Sequence, residues 1–304
     1  MWISPDPRSH IQATGRDARG RKQYRYHPAW REFRDRVKFD HLVEFGTVLP
    51  VVRRRVERDL AVREITRDRV VATIVSLLEL SLVRVGNEEY ARANGSYGLT
   101  TLRRMHARVE GHRLELSFRG KSGKDHRTQV EDRRVARAVR QLQELPGQVL
   151  FRYVGPDGEL CPVGSSDVND YLREVSGADI TAKEYRTWMG SVLAASALAE
   201  LPAPTSPTDA RRSLMEVLRV VSADLGNTPA VCRASYVHPA VIAAFEEGSL
   251  GDRWQAASGR GSRTLTADER RFLSFLRSSR RRRGKPAAAE SAGAVAPASA
   301  RAAA

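Results

Sequence analysis

The stretch "DLGNTPAVCRASYVHP", residues 224–239, reads as the end of one helix and the start of two more. Upstream, Leu214, Val217, Leu218, Val221 and Leu225 recur at helical spacing, and Gly226 can close that helix as a left-handed cap. Asn227 extends the turn, Pro229 opens a short helix, and Pro239 opens the next segment. Tyr236 lies between them, one turn after an arginine and among small polar residues. A tyrosine half inside a protein is ordinarily packing, with its hydroxyl at the edge of the core. This one sits where turns and charges meet.

Working outward, helical periodicity dominates. Trp30, Phe33 and Val37 share a face, as do Leu49, Val52, Val56 and Leu60. Thr66 caps an apolar helix expected to run to about Arg92, with Val70, Val71, Ile74, Val75, Leu77, Leu78 and Leu80 as the central core. That reading puts Arg84 inside the helix. The period then changes to two: in "RLELSF" Leu114, Leu116 and Phe118 alternate with polar residues. "GKSGKDH" is the turn, "RTQVE" the returning strand, and "ARVEGH" a third strand. A helix resumes at Asp132, with Val135, Val139 and Leu142 on one side, and "VLFRYVGPDGE" reads as a strand and turn. Thr181 with Glu184, and Thr266 with Glu269, form capping boxes for two further helices. Residues 248–265 are Gly/Ser-rich and read as an exposed loop; from Arg280 an arginine run leads into an Ala/Pro-rich tail too poor in apolar bulk to fold. The fold class is mainly α with a small antiparallel β-sheet.

Composition narrows the partners. The 304 residues carry a formal net charge of +15, and arginine outnumbers lysine 45 to six. Arginine's planar fork grips phosphate through two bonds, so the default partner is nucleic acid. No apolar run approaches the roughly 18 residues a membrane span needs. Cys161 and Cys232 lack metal-ligand spacing and fit a reducing, cytoplasmic setting.

Five polar side chains at element edges suit one chemistry, transesterification of a phosphodiester. A phenol with an ordinary pKa of about 10 needs a positive field to act as a nucleophile near neutrality. The phosphorus in the transition state gathers negative charge, which two arginines and a neutral donor can hold. The departing sugar oxygen needs a proton, and a lysine on a mobile hairpin can give it. Tyr236, Arg84, Arg186, Asn227 and Lys121 supply these parts. Taken singly, each also has an ordinary structural reading: surface arginine, solubilising lysine, turn asparagine, packing tyrosine.

The segments "HIQATGRDARGRKQYRYHPAW" (10–30), "RVGNEEYARANGSYGLTTL" (84–102), "FRGKSGK" (118–124), "AKEYRTWMGS" (182–191) and "LGNTPAVCRASYVHP" (225–239), in that order, resemble the type IB DNA topoisomerases. The likeness is to the small bacterial and poxvirus-like group and runs from about residue 2 to 278. It implies the catalytic-core fold shared with tyrosine recombinases, and a reaction in which a tyrosine nicks one strand, holds a 3′-phosphotyrosyl link and reseals it. No cofactor or metal is implied; the partner is double-stranded DNA, especially supercoiled, bound by a monomer at the nucleoid. By this resemblance Tyr236 is the nucleophile, Arg84 and Arg186 clamp the phosphate, and Lys121 is the general acid. Asn227 stands where many relatives have histidine and donates to a phosphate oxygen without carrying a proton. Gln23, Tyr24, Tyr26 and Tyr90 match DNA-touching positions. The implied organisation is a remnant of a β-rich DNA-clamp domain (1–29), a catalytic domain (30–278) and a basic, then Ala/Pro-rich tail (279–304). Relatives carry several dozen residues before the counterpart of "WISPDPRSHIQATG" (2–15), so strands within 1–29 are expected without some of their partners.

Tyrosine recombinases share this chemistry but carry His-x-x-Arg around the second arginine; here the residues are "KEYR", 183–186. A non-catalytic DNA-binding relative is the other alternative, against which stand five positions filled with workable chemistry.

Overall fold

The computed structural model describes residues 1–18, 20, 22–257 and 260–283. Its longest element, α1 (Pro28–Ala61), starts where the His27 ring accepts the Ala29 N–H and passes through Pro50 without ending. Phe39, Leu42, Phe45, Leu49, Val52, Val56 and Leu60 form its buried face at three- and four-residue steps. The first turns differ from the sequence expectation, since Phe33 and Val37 are exposed. This part of α1 faces an N-terminal sheet instead: Trp30 packs on His10 at 5.1 Å, and Arg34 lies over the Tyr26 ring at 5.5 Å. That sheet is β1 (Trp2–Ile3), β2 (Ile11–Arg16) and β3 (Lys22–Tyr26), antiparallel in sequence order.

Helix α2 (Arg67–Ser81), capped by the Thr66 hydroxyl, packs against α1 and is the central core element; Val70, Val71, Ile74, Val75, Leu77 and Leu78 are buried. Leu80, counted with them by periodicity, is exposed. The helix does not run to Arg92. Leu82 takes a left-handed φ of 53°, the one non-glycine among the described residues to do so, and the chain leaves the helix there. A separate helix, α3 (Glu88–Asn94), begins at an Asn87 cap.

Strands β4 (Ala107–Glu110), β5 (Arg113–Arg119) and β6 (Asp125–Glu131) make the expected antiparallel sheet, with Leu114, Leu116 and Phe118 buried. Helix α4 (Arg133–Glu144) follows from its Asp132 cap, then the hairpin β7 (Arg152–Val154) and β8 (Leu160–Pro162). The remaining helices are α5 (Ser165–Ser176), α6 (Ala182–Ala199), α7 (Pro207–Asp224), α8 (Pro229–Ser235), α9 (Pro239–Glu246), α10 (Leu250–Ala256) and α11 (Ala267–Arg283). Both capping boxes form: Glu184 accepts the Thr181 N–H at 2.9 Å, and Glu269 accepts the Thr266 N–H at 2.8 Å. The expected loop at 248–265 holds α10, because Leu250 and Trp254, one turn apart, bury on one side. Helix α11 continues through all four arginines of the run, residues 280–283, which composition assigns to the unfolded tail; residues 284–304 of that tail lie outside the described residues.

One apolar cluster joins α1, α2 and the sheet to α6, α7 and α11. Through it runs a polar tie. Arg53 of α1 meets Glu269 of α11 at 2.7 Å and Glu79 of α2 at 2.8 Å, and Trp188 of α6 donates to Glu269 at 3.0 Å. Among the described residues, no helix is long and apolar enough to cross a membrane.

Candidate active site

Four chain segments end at one place. The extended run leaving α2 carries Arg84, whose backbone is pinned when Leu99 N–H bonds Arg84 O at 2.9 Å and Thr100 N–H bonds Val85 O at 2.7 Å. The turn after α7 carries Asn227, the second turn of α6 carries Arg186, and the C-terminal end of α8 carries Tyr236.

Arg186 organises the others. It is 4% exposed, and its guanidinium donates through Nη1 to the carbonyl of Leu82 and through Nη2 to that of Leu225 at 2.6 Å. These carbonyls stand two residues before Arg84 and two before Asn227. One side chain thus fixes where both segments turn off their helices. Arg84 Nη2 then donates to Asn227 Oδ1 at 2.6 Å, which orients the amide with its nitrogen away from Arg84. Arg186 Nε and Asn227 Nδ2 are left as buried donors with no partner in the protein. Such groups are costly unless something accepts from them.

Tyr236 is held by its backbone. Its N–H bonds Cys232 O at 2.9 Å, and its carbonyl accepts the Ser191 hydroxyl at 2.9 Å. The same Ser191 oxygen accepts the His238 N–H at 3.0 Å, gripping the chain on both sides of Val237. Lys38 of α1 donates to Ser235 O, and its ammonium lies 5.5 Å from the Tyr236 ring. The Arg186 guanidinium covers that ring at 5.0 Å. Burial pushes the phenol's pKa up, but Arg186 and then Arg84, by charge and hydrogen bonding, more than reverse this; the net movement is down from the ordinary value. Burial first, then the charge of Arg84, lowers Arg186 itself, which stays protonated as every arginine does.

Thus Arg84, Arg186, Asn227 and Tyr236 come together, and Arg84 does so from a loop, not from within a helix. Lys121 does not join them by direct contact. It sits exposed at the tip of the β5–β6 hairpin, in a turn closed by Gly120 N–H to Lys124 O at 2.8 Å. Gln23, Tyr24 and Tyr26 stand on β3 and Tyr90 on α3. Tyr24 stacks on Tyr26 at 6.1 Å, Gln23 Nε2 donates to Asp17 at 3.0 Å, and Tyr24 and Tyr90 are both about half exposed.

A family model described as the eukaryotic DNA topoisomerase I catalytic core matches residues 27–257. The chain belongs to the type IB DNA topoisomerases. It is 30% identical over 244 residues to "DNA topoisomerase 1B" of Acanthamoeba polyphaga mimivirus, which covers 78% of this chain and 73% of that protein. It is 26% identical over 181 residues to "DNA topoisomerase 1" of Mycosarcoma maydis, 52% of this chain but 17% of that longer protein. The match spans every segment that builds the four-residue cluster.

The candidate site of this topoisomerase also contains residues that its sequence did not single out. Ser191 closes the quoted segment "AKEYRTWMGS", where a polar residue on an apolar helix was the available signal. Lys38 gave no signal, because nothing local marks a helix lysine that will meet residue 235.

Proposed function

We propose that this topoisomerase relaxes supercoiled duplex DNA, acting as a monomer, by transient cleavage of one strand through Tyr236. The observation that carries the reading is the pair of buried, unpartnered donors, Arg186 Nε and Asn227 Nδ2, beside a phenol that two guanidiniums acidify. A phosphodiester supplies what these donors lack, anionic oxygens that accept.

In the reaction Tyr236 Oη loses its proton to solvent and attacks phosphorus. The bond from phosphorus to the 5′-oxygen breaks, and its electron pair leaves with that oxygen. Lys121 gives the oxygen a proton and regains one from water. The strand then carries a 3′-phosphotyrosyl ester, and the free 5′-hydroxyl end can turn about the intact strand before the reverse reaction reseals it. Arg84, Arg186 and the Asn227 amide hold the extra charge on the non-bridging oxygens, where prepositioned donors act most strongly. Asn227 stays neutral throughout. Gln23, Tyr24, Tyr26 and Tyr90 grip the duplex outside the reacting centre, and the net charge of +15 favours that grip at low salt.

The test is relaxation of supercoiled plasmid without ATP or magnesium. The wild-type chain relaxes it; Tyr236→Phe does not, yet shifts duplex DNA in a gel as before. Relaxation by Tyr236→Phe at the wild-type rate overturns the assignment.

A further inference from the structure

The hairpin that carries Lys121 is not loose against the rest of the site; one imidazole joins them. His126 is the first inward residue of β6 after the turn and pairs directly with Phe118 of β5. Its ring lies flat on the Phe118 ring, with centroids 5.5 Å apart and planes inclined by 10°. One edge of the imidazole faces Gly120, where an added Cβ would come within 2.3 Å of His126 Cδ2. The opposite corner faces Gly226, where an added Cβ would come within 2.4 Å of Cε1. Real side chains do not approach so closely, so the ring fills two notches that only glycine leaves open. Gly226 also has a φ of 61°, which favours glycine in its own right. Gly120 does not: its φ of −97° suits any residue, and the ring accounts for the missing side chain.

Gly120 immediately precedes Lys121, and Gly226 immediately precedes Asn227. We propose that His126 is a positioning residue: bridging Gly120 and Gly226, it holds the hairpin bearing Lys121 in register with the turn bearing Asn227. The inference rests on the reading of Lys121 as the general acid. The ring acts as a spacer and not as a charge. Burial, and after it the positive charges of Arg84, Arg186 and Lys124, hold its pKa below the ordinary value, so it is neutral near pH 7. A neutral ring adds no further repulsion against the lysine it places.

The experiment is single-turnover cleavage of a duplex whose scissile linkage carries either the normal 5′-oxygen or a 5′-bridging sulfur, which leaves without a proton. For His126→Ala the oxygen linkage slows by about 10²-fold, the scale for a catalytic group displaced by roughly 1 Å. The sulfur linkage recovers most of that rate, and duplex affinity is unchanged. Lys121→Ala shows the same sulfur rescue, and adding His126→Ala to it slows the oxygen linkage no further, because both changes remove one function. Gly120→Ala, with an unstrained backbone, reproduces the pattern by pushing the ring off the hairpin. His126→Phe, a flat ring of similar span, restores most of the oxygen-linkage rate. Equal losses on both linkages, multiplying penalties in the double variant, or wild-type cleavage by both His126→Ala and Gly120→Ala overturn the proposal. Failure of the catalytic reading has a separate signature, cleavage by Tyr236→Phe.

Discussion

Replacing Asn227 by aspartate separates the electrostatics of the site from its architecture. The Oδ1 that accepts from Arg84 at 2.6 Å is retained, now as part of a carboxylate, so the contact orienting residue 227 becomes stronger. The unpartnered Nδ2 is replaced by an acceptor carrying negative charge. Losing one donor to a developing oxyanion costs about 2.7–4 kcal/mol, as Asn227→Ala alone would show. A negative charge about 4 Å from the phosphate adds about 4 kcal/mol at an effective dielectric constant near 20. Together these slow cleavage by roughly 10⁵-fold, against about 10²–10³-fold for alanine. The assay is single-turnover cleavage of a labelled duplex at saturating enzyme, with thermal unfolding in parallel. Because the carboxylate pairs with Arg84, the melting temperature does not fall, and unfolding cannot account for the lost rate. Cleavage by Asn227→Asp within tenfold of Asn227→Ala would mean that the amide nitrogen does not face the phosphate.

Ser191→Ala removes the hydroxyl that donates to the Tyr236 carbonyl and accepts the His238 N–H, at about 1–3 kcal/mol; urea unfolding should register the loss and cleavage should slow with it. A cleavage rate equal to wild type would show that Tyr236 is seated by other contacts. The Tyr236 phenol, depressed below the ordinary value of about 10, should appear below that value in the 295 nm titration difference between wild type and Tyr236→Phe. A depressed acid binds its proton less tightly in the folded chain, so this group's contribution to stability is present above the unfolded pKa and is lost as pH falls through the folded one. A midpoint at or above the ordinary value contradicts the two-arginine field, and Arg84→Ala should move the midpoint up. Glu269→Ala leaves Arg53 with Glu79 as its remaining carboxylate and strands the Trp188 indole N–H, and should cost about 1–3 kcal/mol in urea unfolding; no measurable loss would show that the buried tie is dispensable.

What the sequence reveals about this protein follows the range of the forces involved. Caps and periodic faces are local, so both capping boxes, the three-stranded sheet and the α7–Gly226–Pro229 passage are legible from neighbouring residues. The end of α2 is not. Leu82 is a good helix former that takes a left-handed conformation, and the cause is distant: Arg186, 104 residues on, binds the Leu82 carbonyl. The same gap hid α10, whose two anchoring side chains are too few to raise a periodic signal within Gly- and Ser-rich surroundings. Within the site, residue types pointed to Arg84, Arg186, Asn227 and Tyr236, which the fold brings together. Their mutual support by Ser191, Lys38 and His126 depends on meetings between elements that no spacing encodes. Residues such as Gly120 show why. A glycine in a turn looks like backbone freedom until the ring occupying its notch is seen.

The covalent bond between Tyr236 and a 3′-phosphate can be trapped. The wild-type chain is mixed with a nicked suicide duplex that loses its short 5′-hydroxyl product, then denatured, digested and analysed by mass spectrometry. A peptide joined through the oxygen of Tyr236 to a 3′-phosphate end is the expected product. A duplex cut without an attached peptide, or an attachment at any other residue, contradicts the account.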